Sequence, residues 1–265
     1  MPELPEVETV VRGLRGPLVN RIFTGVTVLW PNSIKTPILE LQQRLPGQSI
    51  KAINRRGKYL RFELSGGDAL LLHLKMSGDL LVEPVSEPPH RHVRTIFDLD
   101  NNHQLRFKDP RKFGRVYLVT NPDTVTGQLG PEPLADDFTV EMFRALFRGR
   151  KGRLKPLLLN QQFIAGIGNI YGDESCFSAG LDPRRQVNTL TATDLDRLYH
   201  AIRQALNNGI IFKGATLDDV YRGGEFQEHF QVYGRAGQPC YQCGAAIQRV
   251  VLGGRSSHFC PHCQR

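Results

Sequence analysis

The sequence predicts an α+β protein: an N-terminal antiparallel β-sandwich flanked by helices, then a helical domain, then a C-terminal four-cysteine zinc ribbon. Three observations predict it. Apolar and polar residues alternate between Gln48 and Thr120, with tight-turn signals between the runs. The apolar spacing becomes helical after Asp137. Two CxxC pairs close the chain. The expected boundaries are 1–120 for the sandwich domain, 121–137 for a linker, 138–230 for the helical domain and 231–265 for the zinc finger.

The chain opens with MPELPEVE. Met1 precedes a small residue, so its removal is expected, leaving Pro2 as the N-terminus. A terminal proline is a secondary amine with an ordinary pKa of about 7.7–8, far below that of lysine. It is substantially neutral at cellular pH and can attack a carbonyl carbon to form an iminium. Glu3 stands next to it. Pro5 and Glu6 suit the first turn of a helix, and Val7, Val10, Val11 and Leu14 would form its buried face. Taken alone, these residues read more simply as a rigid lead-in to that helix.

In the β region Leu60, Phe62 and Leu64 alternate with Arg61 and Glu63, and Val93, Thr95, Phe97 and Leu99 alternate likewise. Turns are expected at Arg56-Gly57, Ser65-Gly66-Gly67-Asp68, Ser77-Gly78-Asp79 and Asp100-Asn101-Asn102. Short strands joined by tight turns make an antiparallel sandwich or barrel. The stretch from Asn121 to Asp137, rich in Pro, Gly and Asp, reads as a linker. Beyond it, Val140, Phe143, Leu146 and Phe147 form one helical stripe ending before Gly149. Short helices are expected near Pro156 and after Asn169. A longer one would have Thr193 as its N-cap, Leu195, Leu198, Ile202 and Leu206 on its buried face, and Gly209 as its stop. Thr216 and Asp219 resemble a capping box for a further helix.

The net charge of +8 and a pI near 9.4 favour a polyanionic partner, nucleic acid first. No acid follows Glu228, whereas Arg235, Arg249, Arg255 and Arg265 do. No apolar run reaches membrane-spanning length and no signal-peptide pattern is present, so a cytoplasmic protein without membrane contact is expected. Of the five cysteines, Cys176 stands alone in an apolar helical context and reads as a buried small hydrophobe.

The other four, Cys240-x2-Cys243-x16-Cys260-x2-Cys263, match a four-thiolate zinc site. Ile247 to Leu252 and Ser256 to Phe259 read as a hairpin around Gly253-Gly254. With every ligand position filled by sulfur, one structural zinc ion is implied, leaving no open position for a catalytic water. The hairpin tip presents Arg255, a guanidinium suited to a phosphate or simply an exposed arginine. Gly166-Ile167-Gly168-Asn169-Ile170-Tyr171 between two helices would free backbone N–H groups as an anion site, with Asn169 as cap and phosphate donor; the plain alternative is an inter-helix turn. Arg148, Arg150, Lys151, Arg153 and Lys155 form a nearby basic run, commonly just a solvated face. Lys58, in Arg55-Arg56-Gly57-Lys58-Tyr59, is a surface lysine or a phosphate clamp. Asp109-Pro110-Arg111-Lys112-Phe113-Gly114 sets an aromatic beside two cations, as a wedge into a base stack requires, and Met76 could be a second wedge. Singly, Met76 and Phe113 read more simply as core residues. His90 and His92, flanking Arg91, suit an exposed loop or a DNA contact. No Walker loop, HExxH or GxSxG is present.

Together these stretches resemble the bacterial formamidopyrimidine-DNA glycosylase family. The resemblance runs through MPELPEVET, RRGKYL, HLKMSG, DPRKFG, LGPEPL, GIGNIY, QVYGR and GGRSSHFCPHC, in that order. Leu4 and DPRKFG set it apart from the sister endonuclease VIII family, which typically begins Pro-Glu-Gly-Pro-Glu. The resemblance implies a β-sandwich, a helix–two-turn–helix domain and a zinc finger. It implies a bifunctional base-excision repair enzyme acting on double-stranded DNA. Such an enzyme releases 8-oxoguanine and formamidopyrimidines and then cuts the abasic site by β,δ-elimination. It implies Pro2 as the Schiff-base nucleophile, Glu3 as general acid/base, Lys58 in base release and β-elimination, and Arg255 in phosphate grip and δ-elimination. Met76, Arg111 and Phe113 would fill the gap left by the flipped base, with Arg111 reading the opposite cytosine. Asn169, His90 and Arg150 would bind DNA, Arg150 standing where a lysine is common.

One departure is the short stretch between Asp219 and Gln231, where the family carries a loop over the flipped base. It bears on lesion preference, not on the chemistry. A monomer is expected. Competing readings are an endonuclease VIII-like preference for oxidised pyrimidines, a zinc-ribbon DNA-binding module without catalysis, and a metal-dependent abasic endonuclease.

Overall fold

The structure is a computed structural model, and it describes residues 1–216 and 223–265. It divides into two compact units. The first comprises Met1–Pro2 and Glu6–Gln128, the second Glu3–Pro5, Leu129–Ala215 and Gly224–Arg265.

The chain starts with helix α1 (Leu4–Leu18), whose Val7, Val11, Leu14 and Leu18 are buried at helical spacing. In the first unit they join a core filled from two antiparallel four-stranded sheets. One sheet has the order β1 (Phe23–Val28), β6 (Val93–Leu99), β7 (His103–Lys108), β5 (Asp79–Pro84). The other has the order β2 (Ile50–Arg56), β3 (Tyr59–Leu64), β4 (Ala69–His73), β8 (Arg115–Val119). Helix α2 (Ile38–Arg44) adds Leu41 to this core. The alternation of β3 is borne out: Leu60, Phe62 and Leu64 are buried between half-exposed Tyr59, Arg61 and Glu63. β4 is buried along its whole length. The turn residues fall where expected, with Gly57, Gly67 and Asn102 at positive φ.

The stretch read as a linker contains a short helix, α3 (Asp123–Thr126). In the second unit, α4 (Val140–Leu146) is capped by the Thr139 side chain, and α5 spans Leu154–Leu158. α6 (Asn169–Ser178) is buried on almost every side and packs on α7 (Ala192–Ile211). The ribbon strands β9 (Gln248–Leu252) and β10 (Arg255–Phe259) pair around Gly253-Gly254.

Three expectations are corrected here. The N-cap of α7 is Thr191, not Thr193. Thr191 and Asp194 exchange hydrogen bonds in a complete capping box, which outcompetes a threonine two residues later. Gly209 does not stop α7, which runs on to Ile211. A Cβ there would come 2.5 Å from the Tyr171 ring, so the glycine serves close packing. Asn169 is the first helical residue of α6, not its cap, and the capping position is Gly168. The capping box expected at Thr216 and Asp219 falls on residues outside those described.

Candidate functional site

In the first unit, Pro2 is buried directly ahead of α1 while Met1 is exposed. Lys58 lies in the β2–β3 turn and is only 5% exposed, so it is neither a surface lysine nor part of a solvated run. The strand register sets His73 opposite Tyr59, the residue after Lys58, with the two rings edge to face at 4.6 Å. Burial, and then the charges of Lys75, Lys58 and Arg115, push His73 down to about 3. It is therefore neutral. Its Nδ1 accepts from the Lys75 N–H at 2.9 Å, which leaves the proton on Nε2.

The loop carrying Met76 and the loop carrying Arg111 and Phe113 are exposed to different degrees. Met76 is half-buried, whereas Arg111 is exposed and Phe113 is 44% exposed. Reading Phe113 as a core residue is thus corrected: the following Gly114 turns back under the loop and leaves the ring outside. The Arg111 guanidinium sits 5.2 Å from the Phe113 ring centroid. His90 is exposed on the β5–β6 loop, its ring 5.2 Å from that of His92.

In the second unit, the GIGN turn explains the start of the chain. Leu4 N–H donates to the Gly166 carbonyl at 3.0 Å. A Cβ on Gly166 would strike Leu4 at 2.6 Å, and one on Gly168 would lie 2.3 Å from the Glu3 carboxyl carbon. These glycines let Glu3 and Leu4 lie directly on the turn. The Glu3 carboxylate then accepts from Ile170 N–H at 3.0 Å and Tyr171 N–H at 3.4 Å. The helix N-terminus is indeed an anion site, but the anion is the protein's own Glu3.

Asn169 is half-exposed beside it and donates through Nδ2 to Ser256 Oγ at 3.3 Å, on the ribbon next to Arg255. Arg255 itself is exposed at the hairpin tip. Arg150 is exposed, 6.0 Å from the Phe163 ring. Lys155 departs from the basic run in which its sequence neighbours stand: it is 1% exposed, paired with Asp173 Oδ1 at 2.6 Å and donating to the Ser256 carbonyl at 2.7 Å. Asp173 Oδ2 accepts from the His258 N–H and faces His258 Nδ1 at 3.1 Å. One buried carboxylate thus ties α6 to α5 and to the ribbon strand carrying Arg255.

Sequence reasoning passed over Asp173, Glu174 and Tyr233. Glu174 accepts the N–H groups of Gln231, Val232 and Tyr233, fixing the approach to the ribbon; burial nevertheless raises its pKa above the ordinary carboxylate value. Tyr233 is raised too, by burial first; Glu3 and Asp173 push it the same way, while Asn169 and Arg255 oppose them. The available signal was two adjacent acids inside a helix otherwise lined with Ile170, Tyr171, Cys176 and Phe177. Buried charges of that kind need partners. Cys176 is fully buried, and burial raises its thiol pKa, which keeps it protonated and unreactive.

The ligand atoms of Cys240, Cys243, Cys260 and Cys263 lie within 4.8 Å of one another. Tetrahedral zinc with thiolates at about 2.3 Å sets sulfurs about 3.8 Å apart. The Cys240–Cys263 and Cys243–Cys260 pairs stand at 3.9 and 3.4 Å. The donor set, all sulfur and four in number, fits one zinc ion. Phe177, Val232 and Ile247 pack beneath it, and Gln264 bridges Cys260 N–H to the Leu181 carbonyl.

Three family models match the chain. They are the formamidopyrimidine-DNA glycosylase N-terminal domain over residues 1–116, the H2TH domain of the same enzymes over 129–220, and the zinc finger found in FPG and IleRS over 237–265. The chain is 46% identical over its full length to 99% of a formamidopyrimidine-DNA glycosylase from Pelotomaculum thermopropionicum. It is 44% identical to all of one from Herpetosiphon aurantiacus, with the whole chain again covered. Its structure is similar to that of Lactococcus lactis Fpg in complex with abasic-site DNA, with TM-score 0.93, 34% identity and 99% of each chain covered. It is likewise similar to MutM in complex with DNA containing carbocyclic 8-oxo-G, with TM-score 0.92, 35% identity and both chains fully covered.

Proposed function

The chain belongs to the formamidopyrimidine-DNA glycosylase family and is a base-excision repair glycosylase, and on that premise we propose that Pro2, Glu3, Lys58 and Arg255 carry its reaction on duplex DNA. The observation that carries this reading is the anchored chain start. Leu4 and Glu3 are seated on the GIGN turn, and Pro2 is held immediately before them. A nucleophile at a frayed terminus would sample many positions; one attached to a docked segment is pre-organised.

With Met1 removed, the Pro2 nitrogen attacks C1′ of the damaged nucleotide. The glycosidic bond breaks and the oxidised purine leaves. The ring-opened sugar is then held as an iminium. That cation withdraws electrons from C2′, so a base takes a C2′ proton and the 3′ phosphate departs. A second elimination releases the 5′ phosphate. Glu3, anchored by two backbone N–H groups, acts as general acid/base at the sugar. Lys58 assists base release and β-elimination from its turn. Arg255 and Asn169 bind the flanking phosphates, and Arg255 assists the second elimination. Met76, Arg111 and Phe113 fill the gap left by the flipped base, with Arg111 facing the opposite cytosine; His90 and Arg150 add phosphate contacts. Zinc, held by the four cysteines, shapes the ribbon and takes no part in the chemistry.

The protein acts as a monomer in the cytoplasm; among the described residues no helix is long and apolar enough to cross a membrane. Of the short segment around Tyr221 to Phe230, on which the expectation about lesion preference bears, residues 223–230 are described.

The test is borohydride trapping on a duplex carrying 8-oxoguanine opposite cytosine, with peptide mapping of the adduct. A covalent adduct on Pro2 is expected, and protein that keeps Met1 should give none. Trapping on an oxidised-pyrimidine duplex alone would keep the mechanism and move the substrate. No adduct on any damaged duplex or abasic site would overturn the assignment of Pro2.

A further inference from the structure

Two loops of the first unit are tied by a buried pair of side chains that none of the roles above uses. Ser77, 2% exposed, follows Met76, and Asp109, 1% exposed, opens the Arg111–Phe113 loop. The Ser77 hydroxyl donates to Asp109 Oδ1 across a sequence separation of 32 residues. The Arg111 N–H lies 3.2 Å from both Ser77 Oγ and Asp109 Oδ1, and Gly114 N–H donates to Asp109 Oδ2 at 2.7 Å. One carboxylate therefore holds the first and last turns of the Arg111–Phe113 loop and the neighbouring Met76 loop together.

Two further contacts make the arrangement rigid. Both loops lie against the Phe107 ring: a Cβ on Gly78 would stand 2.9 Å from it and one on Gly114 2.2 Å. At the crest of the loop Lys112 takes φ +62°, an uncommon conformation for a lysine, and its Nζ sits 4.0 Å from the ring centroid of Trp30.

We propose that Ser77 and Asp109 are positioning residues that lock the Met76 loop and the Arg111–Phe113 loop into one element, and that this lock sets the preference for the base opposite the lesion. The second half rests on the proposed function. A wedge and a base-reading arginine discriminate only if their spacing is held while DNA is bent and unstacked. The two side chains touch neither substrate nor reacting atoms; they act through Met76, Arg111 and Phe113.

The experiment uses full-length, zinc-loaded protein and the variants Ser77→Ala and Asp109→Asn, with thermal melts to establish folding. Ser77→Ala removes only a hydroxyl and carries the test if Asp109→Asn fails to fold. Amide hydrogen exchange on DNA-free protein reads the lock without reference to activity. Ser77→Ala should lower protection at residues 75–78 and 111–114 together. Loss confined to residues 75–78 would overturn the lock.

Single-turnover excision of 8-oxoguanine opposite cytosine should fall about tenfold or more. The cytosine-over-adenine preference should shrink with it, while cleavage of a preformed abasic site stays within about threefold of wild type. An unchanged preference in a folded variant would overturn the second half. Wild-type protein that excises nothing would sink the proposed function and the opposite-base claim with it, while exchange still decides the lock.

Discussion

The sandwich and the ribbon solve the same problem differently. Each carries an exposed arginine at the end of a loop, Arg111 or Arg255. The sandwich holds the Arg111 loop with one carboxylate, Asp109, above a core of side chains from two sheets and α1. The ribbon holds Arg255 above a core of little more than Phe177, Val232, Ile247 and its own buried cysteines. So small a core cannot offset the entropy of ordering the segment, and covalent-strength ligation must supply the rest. Even then the ribbon leans on a neighbouring element: Lys155 and Asp173 bond the backbone of Ser256 and His258. A loop on a deep core needs one buried anchor, whereas a loop on a shallow one needs a metal and a buried ion pair.

The largest expected effect breaks the comparison outright. Stripping zinc with a strong chelator should remove about 10 kcal/mol of ligation energy from the ribbon. Exchange protection across residues 237–265 should collapse while the sandwich amides stay protected. A ribbon that stays protected after verified metal loss would show that its core suffices alone.

Asp173→Asn comes next. It strands the Lys155 ammonium in a buried site and should cost about 3–5 kcal/mol in denaturant unfolding. The paired change Asp173→Leu with Lys155→Met should recover much of that loss. Equal losses in the single and paired variants would mean that packing, not charge, dominates there.

The third probes the sandwich through pH. His73 is held neutral, at about 3 against an ordinary 6.5, so the unfolded chain binds the proton that the folded chain refuses. Stability from this group is complete above pH 6.5 and drains as pH falls toward 3, by about 2–4 kcal/mol on reaching pH 4. His73→Gln should flatten the acid limb of the stability curve over that window. A limb as steep as in wild type would mean that His73 is not the group responsible.

The smallest effect sharpens the account of the helical unit. Thr191→Ala removes one half of the α7 capping box and should cost about 1 kcal/mol, whereas Thr193→Ala should cost a few tenths at most. Equal costs would return the cap to the position read from sequence.

Local patterns in this chain were legible because their causes are local. Strand alternation, the Gly57 and Gly253-Gly254 turns, the buried stripe of α1 and the CxxC pairs each express a constraint spanning a few residues. The exposed positions of Arg111 and Arg255 followed from such turns. Thr191 was missed because Thr191 and Thr193 offer the same hydroxyl, and only the backbone geometry chooses between them.

The order of parts, the metal ligands and the family to which the motifs belong all follow from patterns of neighbouring residues. Tertiary structure alone decided which charged groups are buried and with whom. Glu3 caps a helix 167 residues away, Lys155 leaves its basic run to meet Asp173, and Ser77 finds Asp109. A carboxylate or an ammonium looks the same in sequence whether solvated or paired. Its environment is fixed only when distant segments pack, and the cost of burying a charge then selects the one partner that satisfies it.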